Sequence, residues 1–188
     1  MTLGADRIAL IVVGASLGGL SALKRLLGAL PAGYRLPVVV VQHRAADSDD
    51  LAPALQRACA VAVREVEDRD PLRPGTVYLA PADYHVLVDR GRLRLSTEAR
   101  VLHARPSIDV LFESAAAVYG EGVLAIVLTG ASRDGALGAR QVKERGGSLV
   151  VQDPATAEAR VMPAAALAGA RADLVLRLDE IADVLRAA

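Results

Sequence analysis

Unbroken apolar runs, rather than alternating ones, set the rhythm of this chain. Ile8–Val13, Pro37–Val41 and Val123–Leu128 are short and free of polar positions, which predicts strands buried on both faces. Ala62–Val66, Thr76–Ala80, Leu149–Val151 and Leu174–Leu176 read as shorter strands. Between these runs the apolar spacing changes to that of helices. Gly18–Ala29 carries Leu20, Leu23, Leu26 and Leu27 at helical spacing, with Leu30 just beyond. Asp47–Ala60, Gly135–Arg145, Pro163–Leu167 and Leu178–Arg186 are further helices. Pro106–Tyr119 is the clearest helix, with Pro106 suited to its first turn and Gly120 to its stop. Tyr84–Val88 and Arg92–Leu95 flank Asp89-Arg90-Gly91 and predict an antiparallel hairpin.

Buried strands separated by helices predict an α/β fold: a doubly wound, mostly parallel sheet with helices on both faces and an inserted antiparallel hairpin. The 188 residues suit one domain covering residues 1–188. With 53% apolar and 23% charged residues, disorder is excluded. Lys+Arg and Asp+Glu both number 22 and aromatics make up 3%, which argues against a nucleic-acid partner. Cys59 is the single cysteine, so neither an internal disulfide nor a cysteine-based zinc site is expected. His43, His85 and His103 lack zinc-ligand spacing, and neither metal nor cofactor is expected. The uncharged stretch from Ile8 to Leu23 is short for a membrane span and is broken by Gly14, Ser16, Gly18 and Gly19. The expectation is a soluble, cytoplasmic protein with no membrane insertion.

In open α/β sheets, chemistry gathers beyond the carboxyl ends of the strands. Three polar residues stand there. Ser16 follows Ile8–Val13, His43 follows Pro37–Val41, and Asp134 ends the loop after Val123–Leu128. A serine hydroxyl becomes a nucleophile when a base takes its proton, and histidine titrates near neutrality and can be that base. A carboxylate fixes the imidazole tautomer and stabilises the imidazolium. Gly14 and Gly18 flank Ser16, which permits a sharp strand-to-helix turn. The Leu17 amide at that turn is a candidate oxyanion donor, and the loop from Gly130 to Ser132 could supply a second.

Each residue has a plainer role open to it. Ser16 could cap the helix that follows, Asp134 the helix starting at Gly135, and His43 could be a satisfied histidine at a strand end. His85 suits a structural role in the hairpin, and His103 suits a loop or the wall of a cleft. Arg44, Arg133 and Arg160 adjoin the candidate cleft loops and could meet an acidic substrate, although solvation is the default for arginine. The chain order Ser, His, Asp differs from that of α/β-hydrolases. A nucleotide-binding reading lacks both glycine-rich phosphate motifs. A non-catalytic docking module of the same fold is the alternative function.

Five stretches resemble the catalytic domain of the CheB-type chemotaxis receptor methylesterases: Ile11–Gly19, Val38–His43, Arg105–Phe112, Val127–Gly135, and Val150–Pro154 with Met162-Pro163. They follow the family's order across nearly the whole chain. The resemblance implies hydrolysis of γ-glutamyl methyl esters on chemoreceptors with release of methanol, and glutamine deamidation in many members. It implies Ser16 as nucleophile, His43 as base, Asp134 as acid and the Ala131 amide as an oxyanion donor. Leu17 stands where the family usually has threonine, Arg44 where methionine is common, and Ala131-Ser132 where Met-Gly is usual. Backbone donors survive those changes, whereas pocket shape and polarity do not. Full-length members carry an N-terminal receiver domain. With the first strand near residue 8, no such domain and no regulation by phosphorylation in cis are expected within this chain.

Overall fold

Alternate residues of one strand sort to opposite faces of a central sheet. Along β1 (Leu10–Ala15), Ile11, Val13 and Ala15 enter one core and Leu10 and Val12 the other. The computed structural model describes residues 7–44 and 51–188. Strands β1, β2 (Val38–Gln42), β3 (Ala62–Glu65), β4 (Thr76–Leu79), β7 (Val123–Val127), β8 (Ser148–Gln152) and β9 (Leu174–Leu176) form one parallel sheet in the order β3-β4-β2-β1-β7-β8-β9. The expected doubly wound sheet is thus observed. The hairpin of β5 (His85–Asp89) and β6 (Arg92–Ser96) is a separate two-stranded sheet.

Helices cover both faces. One face carries α1 (Gly19–Gly28), α2 (Leu51–Gln56) and α6 (Leu178–Ala187), through Leu23, Leu26, Leu55, Ile181 and Leu185. The other carries α3 (Ile108–Tyr119), α4 (Ala136–Glu144) and α5 (Val161–Gly169), with the hairpin beside them. Burying each such Leu, Ile or Phe side chain contributes about 1.5–3 kcal/mol. Among the described residues, no helix is long and apolar enough to cross a membrane.

Several boundaries differ from the sequence reading. β1 runs on through Gly14 and Ala15, because small residues there are fully buried between neighbouring strands. Pro106 does not open α3: Ser107 is the N-cap, its hydroxyl accepting the Val110 amide at 3.4 Å. Helix α5 begins two residues earlier than expected, at Val161. The start of the expected Asp47–Ala60 helix lies outside the described residues; α2 covers Leu51–Gln56.

The order of connections positions the site. The chain first winds outward from β1 through β2, then returns to build β7 on the opposite side of β1. The crevice beyond β1, β2 and β7 is the topological switch point, where open α/β sheets bind ligands.

Candidate active site

Ser16 follows β1 and lies between two neighbouring strands. Its amide donates to the Thr129 carbonyl beyond β7 at 3.0 Å, and the His43 amide beyond β2 donates to the Ala15 carbonyl at 3.0 Å. Adjacent strands lie about 4.8 Å apart, so parallel register alone sets Ser16 beside His43. Both line a depression of about 440 Å³ with Leu17, Leu20, Gln42 and Glu158. Ser16 does not cap α1. The N-cap is Gly18, which makes no side-chain hydrogen bond.

The His43 Nε2–H donates to Asp134 Oδ2 at 2.7 Å. This leaves Nδ1 as the ring nitrogen available to a proton on Ser16. No hydrogen bond joins the Ser16 hydroxyl to His43 among the described residues; such bonds often tighten only with substrate present. Gln42 locks the relative position of the two residues by a different route. Its Nε2 donates to the Ser16 carbonyl at 2.8 Å and to the His43 carbonyl at 2.9 Å.

Asp134 is wholly buried and caps a helix, but not the one that follows it. It accepts from the Ile108 amide at 2.7 Å, the Asp109 amide at 3.0 Å and the Ser107 hydroxyl at 2.8 Å, all at the start of α3. Asp109 returns the arrangement, accepting from the Gly135 and Gly138 amides at the start of α4 at 2.9 and 2.7 Å. Each carboxylate therefore satisfies free amides of the other's helix. Gly14 makes this junction possible, since a Cβ there would lie 2.5 Å from Ile108 Cγ2. Gly135 turns the chain into α4 with a left-handed φ of 97°, against the same isoleucine.

Behind the carboxylate stands His85, buried in the hairpin. Its Nδ1 accepts the Ser107 amide at 3.1 Å and its Nε2 donates to the Ala99 carbonyl at 3.1 Å. The Leu17 carbonyl is held by the Thr129 hydroxyl at 2.9 Å, and the Thr129 amide donates to Gln152 Oε1 at 2.9 Å. The amides of Leu17 and Ala131 donate no hydrogen bond among the described residues, which leaves both able to receive an oxyanion.

A family model describing CheB methylesterases matches residues 11–185. The chain belongs to the CheB methylesterase family. A Leptospira interrogans relative, provisionally designated a protein-glutamate methylesterase/protein-glutamine glutaminase, is 43% identical over 93% of this chain and 91% of its own length. Relatives with that designation from Pseudomonas putida and Pseudomonas aeruginosa are 41% and 42% identical over 92% of this chain, which spans only 47% of their length. The crystal structure of the Thermotoga maritima CheB methylesterase catalytic domain superposes with a TM-score of 0.91 at 32% identity, covering 96% of this chain and 98% of that one.

The departures from the usual CheB pattern have definite places in the fold. Leu17 is 57% exposed at the mouth of the depression. The Ser132 hydroxyl accepts the Asp134 amide at 3.2 Å, so this residue braces the loop that carries Asp134. Arg44 is ion-paired with Glu65 and donates to the Ala80 carbonyl at 3.3 Å. Among the described residues no metal-binding cluster of His, Cys, Asp and Glu forms.

The two carboxylates titrate in opposite directions. Burial, reinforced by the nearby Asp134 charge, pushes Asp109 up to about 6. Burial would also raise Asp134, but the His43 hydrogen bond and the amides of Ile108 and Asp109 outweigh it and hold Asp134 below the usual range. A raised carboxyl pKa means that the folded state binds the extra proton, so the Asp109 contribution to stability is present at pH 4 and lost as pH rises through about 6. Asp109→Asn keeps an acceptor for Gly135 and Gly138 without the charge. It should stabilise the protein by about 2 kcal/mol at pH 8 and by little at pH 4.5. Chemical denaturation at the two pH values checks this, and an equal gain at both would contradict it.

Proposed function

We propose that this chain is a serine hydrolase that removes methyl groups from γ-glutamyl methyl esters of chemoreceptor-like proteins, using Ser16, His43 and Asp134. The observation that carries this reading is the His43–Asp134 hydrogen bond, made at the strand edge where Ser16 stands. The designations of the relatives supply the substrate class, and they extend the reading to glutamine side chains, whose amide would leave as ammonia.

Ser16 Oγ attacks the ester carbonyl carbon while His43 Nδ1 takes its proton. Asp134 holds the ring and balances the imidazolium charge. The oxyanion accepts from the Leu17 and Ala131 amides. The intermediate collapses, the carbon–methoxy bond breaks, and methanol leaves with the proton from His43. Water then adds to the acyl-serine, with His43 again as base, and frees the glutamate carboxylate and the serine hydroxyl. Every step uses side chains and amides of this chain. A protein substrate is the only partner in this reading, with neither nucleic acid nor membrane insertion. A cytoplasmic setting belongs to it and is compatible with the free Cys59.

A fluorophosphonate probe tests the nucleophile directly. It should modify the folded protein at Ser16, as read by mass spectrometry of the peptide, and methanol should be released from a methyl-esterified receptor fragment. Modification elsewhere, or a folded protein with no release, would overturn the assignment.

A further inference from the structure

A second, smaller depression of about 220 Å³ adjoins the depression that holds Ser16, and His43 is common to both. Arg44, Arg100 and Arg105 line it, and among the described residues no carboxylate does. Arg44 is held by Glu65, and one carboxylate outside the lining, Asp83, is shared by Arg100 at 2.7 Å and Arg105 at 2.9 Å. Two guanidinium groups, those of Arg100 and Arg105, thus stand against the single carboxylate of Asp83 at this wall.

A tight turn forms the rim. The Ala104 amide donates to the Val101 carbonyl at 2.8 Å and the Val101 amide returns to Ala104 at 3.1 Å. Its central residues, Leu102 and His103, both have left-handed φ values, 47° and 65°. Such a turn is relaxed with Asn-Gly, whereas side-chain-bearing residues strain it. Strain of this kind persists where it positions something. Here it holds Leu102, 54% exposed, over the pocket beside His43.

We propose that this pocket and its rim form a substrate subsite that binds an acidic segment of polypeptide beside the reacting glutamate. A substrate carboxylate meets the arginine wall, and Leu102 covers the aliphatic stem. The proposal rests on the esterase reading and adds the element that selects a protein substrate over a small ester.

The test uses synthetic polypeptides with one glutamate methyl ester, flanked by either glutamates or glutamines, and an N-blocked glutamate methyl ester as the small substrate. Arg100→Glu should lower kcat/KM for the acidic polypeptide about tenfold or more, chiefly through KM, while small-ester turnover stays within about twofold. The double substitution Leu102→Asn with His103→Gly should raise the melting temperature and still weaken use of the acidic polypeptide. Binding of labelled peptides to a Ser16→Ala protein gives a readout independent of turnover: the acidic peptide should bind tighter, and Arg100→Glu should erase the difference. Equal affinity for both peptides would overturn the subsite. Selective binding without hydrolysis of any ester by the unmodified chain would overturn the esterase reading instead.

Discussion

Alanine at Ser16, at His43 or at both should lower ester turnover by nearly the same factor, about 10⁴- to 10⁶-fold. Residues that act as a unit in one proton transfer lose most of their effect together. Without the base the hydroxyl is a poor nucleophile, and without the hydroxyl the base has nothing to activate. Neither substitution should unfold the chain. Ser16 is attached to the sheet by its amide and carbonyl, through Thr129 and Gln42, and alanine retains both bonds. His43 contributes one side-chain hydrogen bond, and its removal leaves Asp134 with three further donors. Single and double variants assayed side by side, with melting curves, check the result. Factors that multiply in the double variant would mean that the two residues serve separate steps. A near-normal rate in His43→Ala would remove it from the mechanism.

The three residues in question were visible in the sequence for a physical reason. Strands buried on both faces exclude polar side chains, so the polar residues that follow Val13, Val41 and Leu128 within a few positions stand out as strand-end groups, Ser16, His43 and Asp134 among them. Their roles were harder to read. Ser16 and Asp134 each had a capping role open to them, and a local pattern cannot separate a cap from a catalytic group. In the fold Gly18, not Ser16, takes the N-cap of α1, and Asp134 caps not the helix that follows it but α3, which begins 26 residues earlier in the chain. The bracing roles of the surrounding residues were not visible at all. Gln42, His85, Ser107, Asp109 and Thr129 act through partners that are mostly 20 or more residues distant, and their own neighbours in sequence carry no sign of it. Periodicity likewise missed the extension of β1 through Gly14 and Ala15, because small residues carry little hydrophobic signal even when fully buried. The mostly parallel sheet and its hairpin were readable because unbroken runs and the Asp89-Arg90-Gly91 turn are local features.

Asp134→Ala should be the most damaging single change to the chain as a whole, because the proposed catalysis and the folding of two helix starts meet at that carboxylate. The residue is 0% exposed and accepts four hydrogen bonds, from His43, Ser107, Ile108 and Asp109. Its removal leaves buried donors at the start of α3 without acceptors, at about 1–3 kcal/mol each, and relaxation and water entry would bring the total to about 3–5 kcal/mol. Turnover should fall about 10⁴-fold as His43 loses its orienting partner. Asp134→Asn separates the two effects. It preserves volume and one acceptor oxygen, so stability should fall less, yet with that oxygen on Ser107 and Asp109 its NH2 group faces His43 Nε2 and cannot accept from it, and turnover should remain about 10⁴-fold down. Acid gives an independent check. The Asp134 pKa is depressed in the fold, so its stabilisation is complete above the unfolded value and lost as pH falls below it, through the folded value. The unmodified protein should therefore lose stability steeply in strong acid, and Asp134→Asn should lose less over that range. Parallel acid unfolding curves for the two proteins would contradict this, and would mean that other carboxylates govern the acid transition.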